Sequence, residues 1–485
     1  MSERGLRDKT VSGVAWSGID NVLGSTVSFL VTIVLARIVS PDDYGLLGII
    51  GIFTVVSQTI VIGGFGNALI RKKNPTEDDY HTVFLMNLSV SIVLYLVLFF
   101  SAPAISRFFN MGELISLTRV SSVGIVLAGL SLVQRVKLTK RLDFKTQTTI
   151  TLITSISSGI VGIAMAIGGF GVWALVAQHI FRSFMDTVLL WVFNKWIPRI
   201  RFSKESFKEL FGYSWKILLS SLLNQIWGEL YQLVVAKFYS PATLGQYTRS
   251  KGFAQLFSTN LTNVVQRVSF PVLSDIQDEK NRLISVYREI IKVTMFVTAV
   301  CMFGVGAIAE PLLYCLIGPK WHEAATYLPL ICVSMSLYPL QAINLNMLQV
   351  QGRSDLFLIL EIIKKVISIG PLAVLIFVGI RPMLWSNILF TIICFFLNSF
   401  YTGKSLGYTS WMQLKDIAPS YGIATLLAVS VYFFKYIPIS FWVILPIQIV
   451  LGALILFVVC EWTKFPEFIS AKNIVVGYLS KIRRH

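Results

Sequence analysis

The residues of this chain best placed to do chemistry are ionisable groups set inside long apolar runs. His179, Arg182 and Asp186 recur at i, i+3 and i+7, a single helical stripe, with Arg182 near the middle of its run. Glu361, Lys364 and Lys365 share a second run, where Glu361 and Lys365 have the i, i+4 order that favours an ion pair. Arg249 and Arg267 fall on one face of a third, about five helical turns apart, with Lys251 nearby. Asp20 and Glu229 stand singly in two further runs, Glu229 following Asn224, Gln225 and Trp227. Gln341, Asn344, Asn346, Gln349 and Gln351 crowd one end of another. A charge at bilayer depth costs about 3 kcal/mol even on the gentler insertion scales, so such groups face a wet cavity or a partner.

Each group has two uses that fit. The cations could line a cavity that meets an anionic substrate. Arg182 could instead pair with Asp186 and stitch helices together, while Arg249 and Arg267, near opposite ends of their run, could snorkel to the headgroups. Arg119 and Lys216, close to predicted helix ends, are expected to snorkel. Lys365 lies roughly 15 Å along a helix from Asp355, at the limit of that reach. Asp20 and Glu229 could couple transport to protons or be neutralised by one of the cations. Amides such as Gln341 and Asn344 suit sugar hydroxyls and also suit hydrogen bonds between helices. The five cysteines (Cys301, Cys315, Cys332, Cys394 and Cys460) are scattered without CxxC or His spacing, so neither a disulfide framework nor a metal site is expected.

The elements that must hold these groups are membrane helices. Of 485 residues, 55% are hydrophobic and only 14% charged, and the mean hydropathy is +0.70. Fourteen runs of spanning length emerge, near 12–36, 44–66, 82–104, 114–134, 148–168, 171–192, 212–236, 244–267, 288–309, 326–349, 356–379, 384–403, 416–435 and 440–460. The first follows the basic MSERGLRDK and continues through about Val39, too long for a cleaved signal, so it is expected to stay as a helix. The net charge of +17 collects between runs, in RKKNPTEDDYH (71–81), RVKLTKRLDFK (135–145), NKWIPRIRFSKESFK (194–208) and QDEKNRLISVYREIIK (277–292). Lys and Arg mark cytoplasmic loops, which places these segments and both termini inside and excludes nucleic acid as the reason for the charge. VLARIVSPDDYG (34–45) realigns with VVAKFYSPATLG (234–245) at an offset of 200 residues, at the turn between the first and second helix of two six-helix units. The expected fold is therefore an all-α polytopic membrane protein of about fourteen helices: a six-helix lobe in 1–200, a pseudo-symmetric one in 201–410, and two extra helices with a tail in 411–485.

Three long segments carry a resemblance: ALIRKKNPTEDDYHTVFLMNL (68–88), FPVLSDIQDEKNRLISVYRE (270–289) and LIGPKWHEAATYLPLICVSMSLYPLQAINLNMLQVQGRSDLFLILEIIKK (316–365). In these the chain resembles the Wzx-type polysaccharide flippases of the multidrug/oligosaccharidyl-lipid/polysaccharide superfamily, in their colanic-acid and teichuronic-acid branch. The resemblance implies a secondary transporter of the bacterial cytoplasmic membrane, not an enzyme. It would flip undecaprenyl-diphosphate-linked oligosaccharide by ion-coupled alternating access, for capsule, O-antigen or exopolysaccharide. Under that reading Arg182, Lys364, Lys365, Arg249, Lys251 and Arg267 are the candidates to meet the diphosphate. Asp20, His179, Asp186, Glu229 and Glu361 are those for ion coupling or charge pairing, and Gln341 and Asn344 those for sugar. No cofactor is expected beyond a coupling ion, H+ or Na+. The expected partners are the lipid-linked substrate, membrane lipid and a polysaccharide polymerase, with the chain working as a monomer. Two other readings remain: an exporter of the same superfamily carrying a peptidoglycan precursor or a drug, and a membrane polysaccharide polymerase or ligase, which the lack of a long outer loop with paired acids disfavours.

Overall fold

The computed structural model describes residues 23–470, 472 and 473, and among them every regular element is helical. In chain order the α-helices are α1 (Leu23–Ile38), α2 (Pro41–Gly63), α3 (Phe65–Arg71), α4 (Glu77–Phe109), α5 (Leu114–Ser121), α6 (Val123–Lys140), α7 (Phe144–Ile167), α8 (Val172–Asn194), α9 (Lys204–Phe238), α10 (Pro241–Asp275), α11 (Lys280–Ala307), α12 (Ala309–Ile317), α13 (His322–Ser336), α14 (Tyr338–Val350), α15 (Ser354–Ile367), α16 (Ile369–Phe377), α17 (Ile380–Leu406), α18 (Ser410–Tyr432) and α19 (Phe441–Trp462). Among the described residues nine helical stretches are long and apolar enough to cross a membrane, so this is a multi-pass membrane protein. Five of the fourteen expected spans fall outside those nine: α1, α8, α9, α10 and the pair α15 and α16. The last four of these carry the embedded charges, which lower their hydropathy. The first expected span, 12–36, begins among residues outside those described, and Asp20 lies there.

The chain divides into two compact units, Met1–Gly245 and Gln246–His485. In the first, α4 and α8 both pack on α6, α7 runs along α8, and α9 lies against α2. That last contact joins α9 to the first unit in space, although by sequence α9 opens the second repeat. A core of Leu69, Val83, Phe84, Val133 and Val136 fills one end of this unit. In the second, α11 runs along α18 and α13, while α13, α14 and α16 pack on α17. Tyr287, Met295, Leu340, Ile343, Met347 and Phe395 lie at its core. Outward faces stay apolar, as with Trp442, Val450 and Phe457 of α19, because hydrocarbon and not water surrounds them.

The repeated Ser-Pro-x-x-x-Gly turns start α2 and α10 in the same way. Ser40 and Asp43 form a reciprocal capping box, and Asp43 Oδ1 also accepts from Val172 N at 3.0 Å, tying the start of α2 to the start of α8. Ser240 caps α10 through Thr243 N at 3.2 Å, with threonine where the first copy has aspartate. Within the first unit the two turns lie on each other. A methyl group at Gly45 would stand 1.8 Å from the Pro241 carbonyl oxygen, and one at Gly245 would stand 2.0 Å from that of Pro41. Both obstacles are backbone and cannot rotate away, so the glycine of each repeat is required by the proline of the other.

Proline also explains Arg119, which was expected to snorkel. Pro103 inside α4 has no N–H for the carbonyl of Phe99 one turn earlier, and Arg119 Nε donates to that carbonyl at 3.2 Å. Its guanidinium lies 4.5 Å over the Phe99 ring. At the opposite end of α4, Lys72 bonds Asp79 at 2.9 Å and Glu209 at 2.8 Å. Burial opposes its charge, but the two carboxylates outweigh that and hold the ammonium above its ordinary range.

Two predictions follow from this packing. Gly45→Ala should destabilise the protein by about 2 kcal/mol or more, read as a lowered melting temperature of the detergent-purified chain, and Gly245→Ala should do the same. Arg119→Leu should cost about 1–3 kcal/mol by stranding the Phe99 carbonyl. Arg119→Lys, which can still donate, should recover part of the loss in the same melting assay.

Candidate functional site

The embedded charges separate by unit. In the first, the stripe on α8 does not pair with itself. Asp186 accepts both of its bonds from Arg135 Nη2, at 2.7 Å each, so the expected Arg182–Asp186 pair is replaced by one between α8 and α6. Arg182 turns to α1 and donates to Ser28 Oγ at 3.4 Å. His179 is exposed on α8 and bonds neither of them. Arg135 belongs to the basic segment after the fourth expected span, and depth reasoning alone does not reach it. Glu229 on α9 is held within its own helix by amides, with Gln225 Nε2 and Gln232 Nε2 each 2.8 Å from a carboxylate oxygen. Among the described residues no Lys or Arg pairs with it, so two neutral donors stabilise this carboxylate in place of the expected cation.

In the second unit several expected residues come together around a cavity of about 670 Å³. Its walls are three helices. Gln266, Arg267 and Phe270 come from α10, Tyr338, Gln341, Asn346 and Gln349 from α14, and Phe357, Glu361 and Lys364 from α15. On α14 the spacing 338, 341, 345, 349 is one helical face, and on α15 the spacing 357, 361, 364 is another, so both are turned to the cavity along their length. Among the described residues Arg267 makes no hydrogen bond or ion pair, and it is exposed at this wall. Pro271, one turn on, leaves the Arg267 carbonyl without its helical donor. Lys364 bonds Glu361 at i, i+3, not the expected Glu361–Lys365 pair at i, i+4. The amides are partly engaged: Gln341 donates to the Thr391 carbonyl at 3.2 Å and Gln266 to Asn346 Oδ1 at 3.5 Å.

This arrangement can bind a polar, anionic molecule. Arg267 offers a planar fork of donors suited to phosphate or carboxylate. Lys364 adds a second cation that an anion can share with, or take from, Glu361. Amides and the Tyr338 hydroxyl match sugar hydroxyls, and the rings of Tyr338, Phe357 and Phe270 offer flat apolar faces. The groups present supply no nucleophile and base pair, and among the described residues no cluster could hold a metal.

Other expected residues lie elsewhere. Asn344 is wholly buried on the far side of α14. Its Oδ1 accepts from Tyr287 Oη at 2.8 Å and Gln413 Nε2 at 3.2 Å, and its Nδ2 donates to Gln413 Oε1 at 3.1 Å and to the Leu340 carbonyl at 3.0 Å. It is a clasp between α11, α14 and α18, with no capacity left for sugar. Arg249 and Lys251 sit in the first third of α10, while Arg267 alone of that trio reaches the cavity. Lys365, next to Lys364, is not among the residues that line the cavity. Tyr338, Phe270, Phe357 and Gln266 escaped the search for charges; the one signal for Tyr338 is its place on the 338, 341, 345, 349 stripe.

Comparison with known proteins gives the chain relatives and a fold. The chain is 26% identical over 332 residues to the succinoglycan biosynthesis transport protein ExoT of Rhizobium meliloti (strain 1021), covering 68% of this chain and 67% of that one. It is 24% identical over 354 residues to the teichuronic acid biosynthesis protein TuaB of Bacillus subtilis (strain 168), covering 72% and 73%. In fold it is similar to the lipid II flippase MurJ, with a TM-score of 0.72 at 16% identity over 93% of this chain and 99% of that structure. Residues 34–326, more than half of its length, match the polysaccharide biosynthesis protein family, and the chain belongs to that family.

Proposed function

We propose that this protein flips undecaprenyl-diphosphate-linked oligosaccharide repeat units across the bacterial cytoplasmic membrane, for surface polysaccharide assembly, by ion-coupled alternating access of two six-helix lobes. The observation that carries this reading is the second-unit cavity, where Arg267 and Lys364 share walls with amides and aromatic rings inside a membrane protein. The family and the relatives named above support the cargo class. A diphosphate bearing a glycan has to leave water without losing its charge compensation, and a guanidinium with a nearby ammonium supplies that compensation. The glycan meets the amides, while the prenyl chain stays in lipid, where apolar helix faces accept it. A cationic drug does not suit such walls.

Coupling needs a group that senses an ion at bilayer depth. Glu229, held by two amides, is the candidate, and either H+ or Na+ suits a carboxyl group so placed. Arg182, whose partner among the described residues is a hydroxyl at 3.4 Å, is a further cation we assign to cargo. The distribution of Lys and Arg supports a cytoplasmic position for both termini. The protein acts as a monomer and passes its cargo to a polymerase.

Deleting the gene in its host should abolish surface polysaccharide and accumulate undecaprenyl-linked repeat unit; wild type should restore export. Arg267→Gln, at equal membrane abundance, should restore it at least tenfold less well, and Lys364→Gln should fall between the two. Asn344→Ala should instead lower abundance and melting temperature by removing a buried clasp worth about 1–3 kcal/mol. Unchanged surface glycan and unchanged lipid-linked intermediates on deletion would overturn the proposed cargo.

A further inference from the structure

The segment between α8 and α9, residues 195–203, is the longest stretch outside helix among the described residues of the first unit, and it carries charge. Its backbone is pinned from behind. Trp196 Nε1 donates to Glu77 Oε2 at 2.7 Å, the Trp196 carbonyl accepts from Gln134 Nε2 at 2.8 Å, Arg199 N donates to His81 Nδ1 at 3.1 Å, and Ser203 N donates to Thr82 Oγ1 at 3.0 Å. Lys137 Nζ sits 4.4 Å from the Trp196 ring and 4.3 Å from that of Tyr80, clamping the indole to α4 and α6. A segment fixed this way presents its other side chains in one orientation.

Those side chains are of two kinds. Ile200 is 96% exposed and Ile197 is 77% exposed, two β-branched aliphatics with almost nothing of the protein against them. Between and beside them stand Lys195, Arg199, Arg201, Lys204 and Lys208, all exposed. Arg201 pairs with Asp78 at 3.2 Å. Among the described residues Lys195, Arg199, Lys204 and Lys208 form no ion pair. The family, the relatives and the cavity in the second unit leave this face without a role.

Its position decides what can cover it. Open peptide groups cannot lie in hydrocarbon, so a non-helical segment joining two membrane helices lies at the bilayer surface. There the aliphatic tips reach the acyl boundary while the cations stand at headgroup level, the pattern of an interfacial anchor. The excess of unpaired cations selects negatively charged headgroups over zwitterionic ones. We propose that residues 195–208 form a docking surface for anionic phospholipid of the cytoplasmic leaflet. Because the backbone of this segment is bonded to His81 and Thr82, and its Trp196 indole to Glu77, lipid bound there holds the cytoplasmic end of α4.

The test uses the full chain in lipid nanodiscs, one set of phosphatidylcholine alone and one with about a third phosphatidylglycerol, an anionic fraction chosen so that a surface charge of the kind described acts. Amide hydrogen exchange of residues 195–203 is followed by mass spectrometry. Exchange should be at least threefold slower with phosphatidylglycerol. Arg199→Gln/Lys204→Gln/Lys208→Gln should remove that difference, and Ile200→Ser should speed exchange in both lipids. Lys280→Gln/Arg282→Gln, which neutralises exposed cations in another cytoplasmic segment, should leave the difference intact. Unchanged exchange of α4 residues away from 77–82 confirms that each variant is folded. Equal exchange of wild type in the two lipids, or loss of the difference in the Lys280/Arg282 variant as well, would overturn the proposal. The readout is independent of cargo, so its failure is separate from failure of the flippase reading.

Discussion

In hydrocarbon, every polar group that cannot reach water has to find its partner within the protein, and most of this architecture follows from that constraint. The Phe99 carbonyl that Pro103 leaves without a donor is taken by Arg119. Asp186 is met by both bonds of Arg135, and Glu229 by two glutamines of its own helix. Asn344 completes its hydrogen bonds with Tyr287, Gln413 and a backbone carbonyl. These are ordinary interactions in water. Here each one locates a helix, since the alternative is a stranded dipole or charge.

Against that background, incompletely satisfied groups mark function. Among the described residues Arg267 stands at a wall with no hydrogen bond or ion pair, and Lys364 pairs with one acid, Glu361, that an anion could displace. A membrane protein retains such groups where a wet cavity or a ligand repays them. The rings of Tyr338, Phe270 and Phe357 make the same cavity receptive to the flat faces of sugars. At the membrane surface the logic is reversed, because the cations of 195–208 have water and headgroups available, and what needs explaining there is the bare isoleucines between them.

Close approach supplies the second architectural constraint. Gly45 faces the Pro241 backbone and Gly245 that of Pro41, so the two copies of one motif specify each other. An offset of 200 residues was visible in the sequence, and with it the equivalence of the two turns. That the equivalent turns touch was not visible, because an alignment records similarity and holds no information on distance. The substitution of Asp43 by Thr243 between the copies also gains meaning only in space, where Asp43 reaches across to the start of α8.

Hydropathy by itself determined that this is a multi-pass helical membrane protein and where most helices run, since burial in lipid acts on each run of about 20 residues independently of the others. The most polar helices were found through their charges, which also lowered their hydropathy. Arg267, Gln341, Glu361 and Lys364 were legible as candidates because a charge or amide at bilayer depth is conspicuous on its own. Tertiary structure alone decided which of them meet. It gave Asp186 to Arg135 in place of Arg182, Glu361 to Lys364 in place of Lys365, and turned Gln341 to the cavity while its near neighbour Asn344 faced the core. The physical reason is the geometry of the helix. At about 100° per residue, a shift of one position turns a side chain by about 100° and a shift of three by about 60°, and only the packed neighbours determine which part of the helix surface is wet.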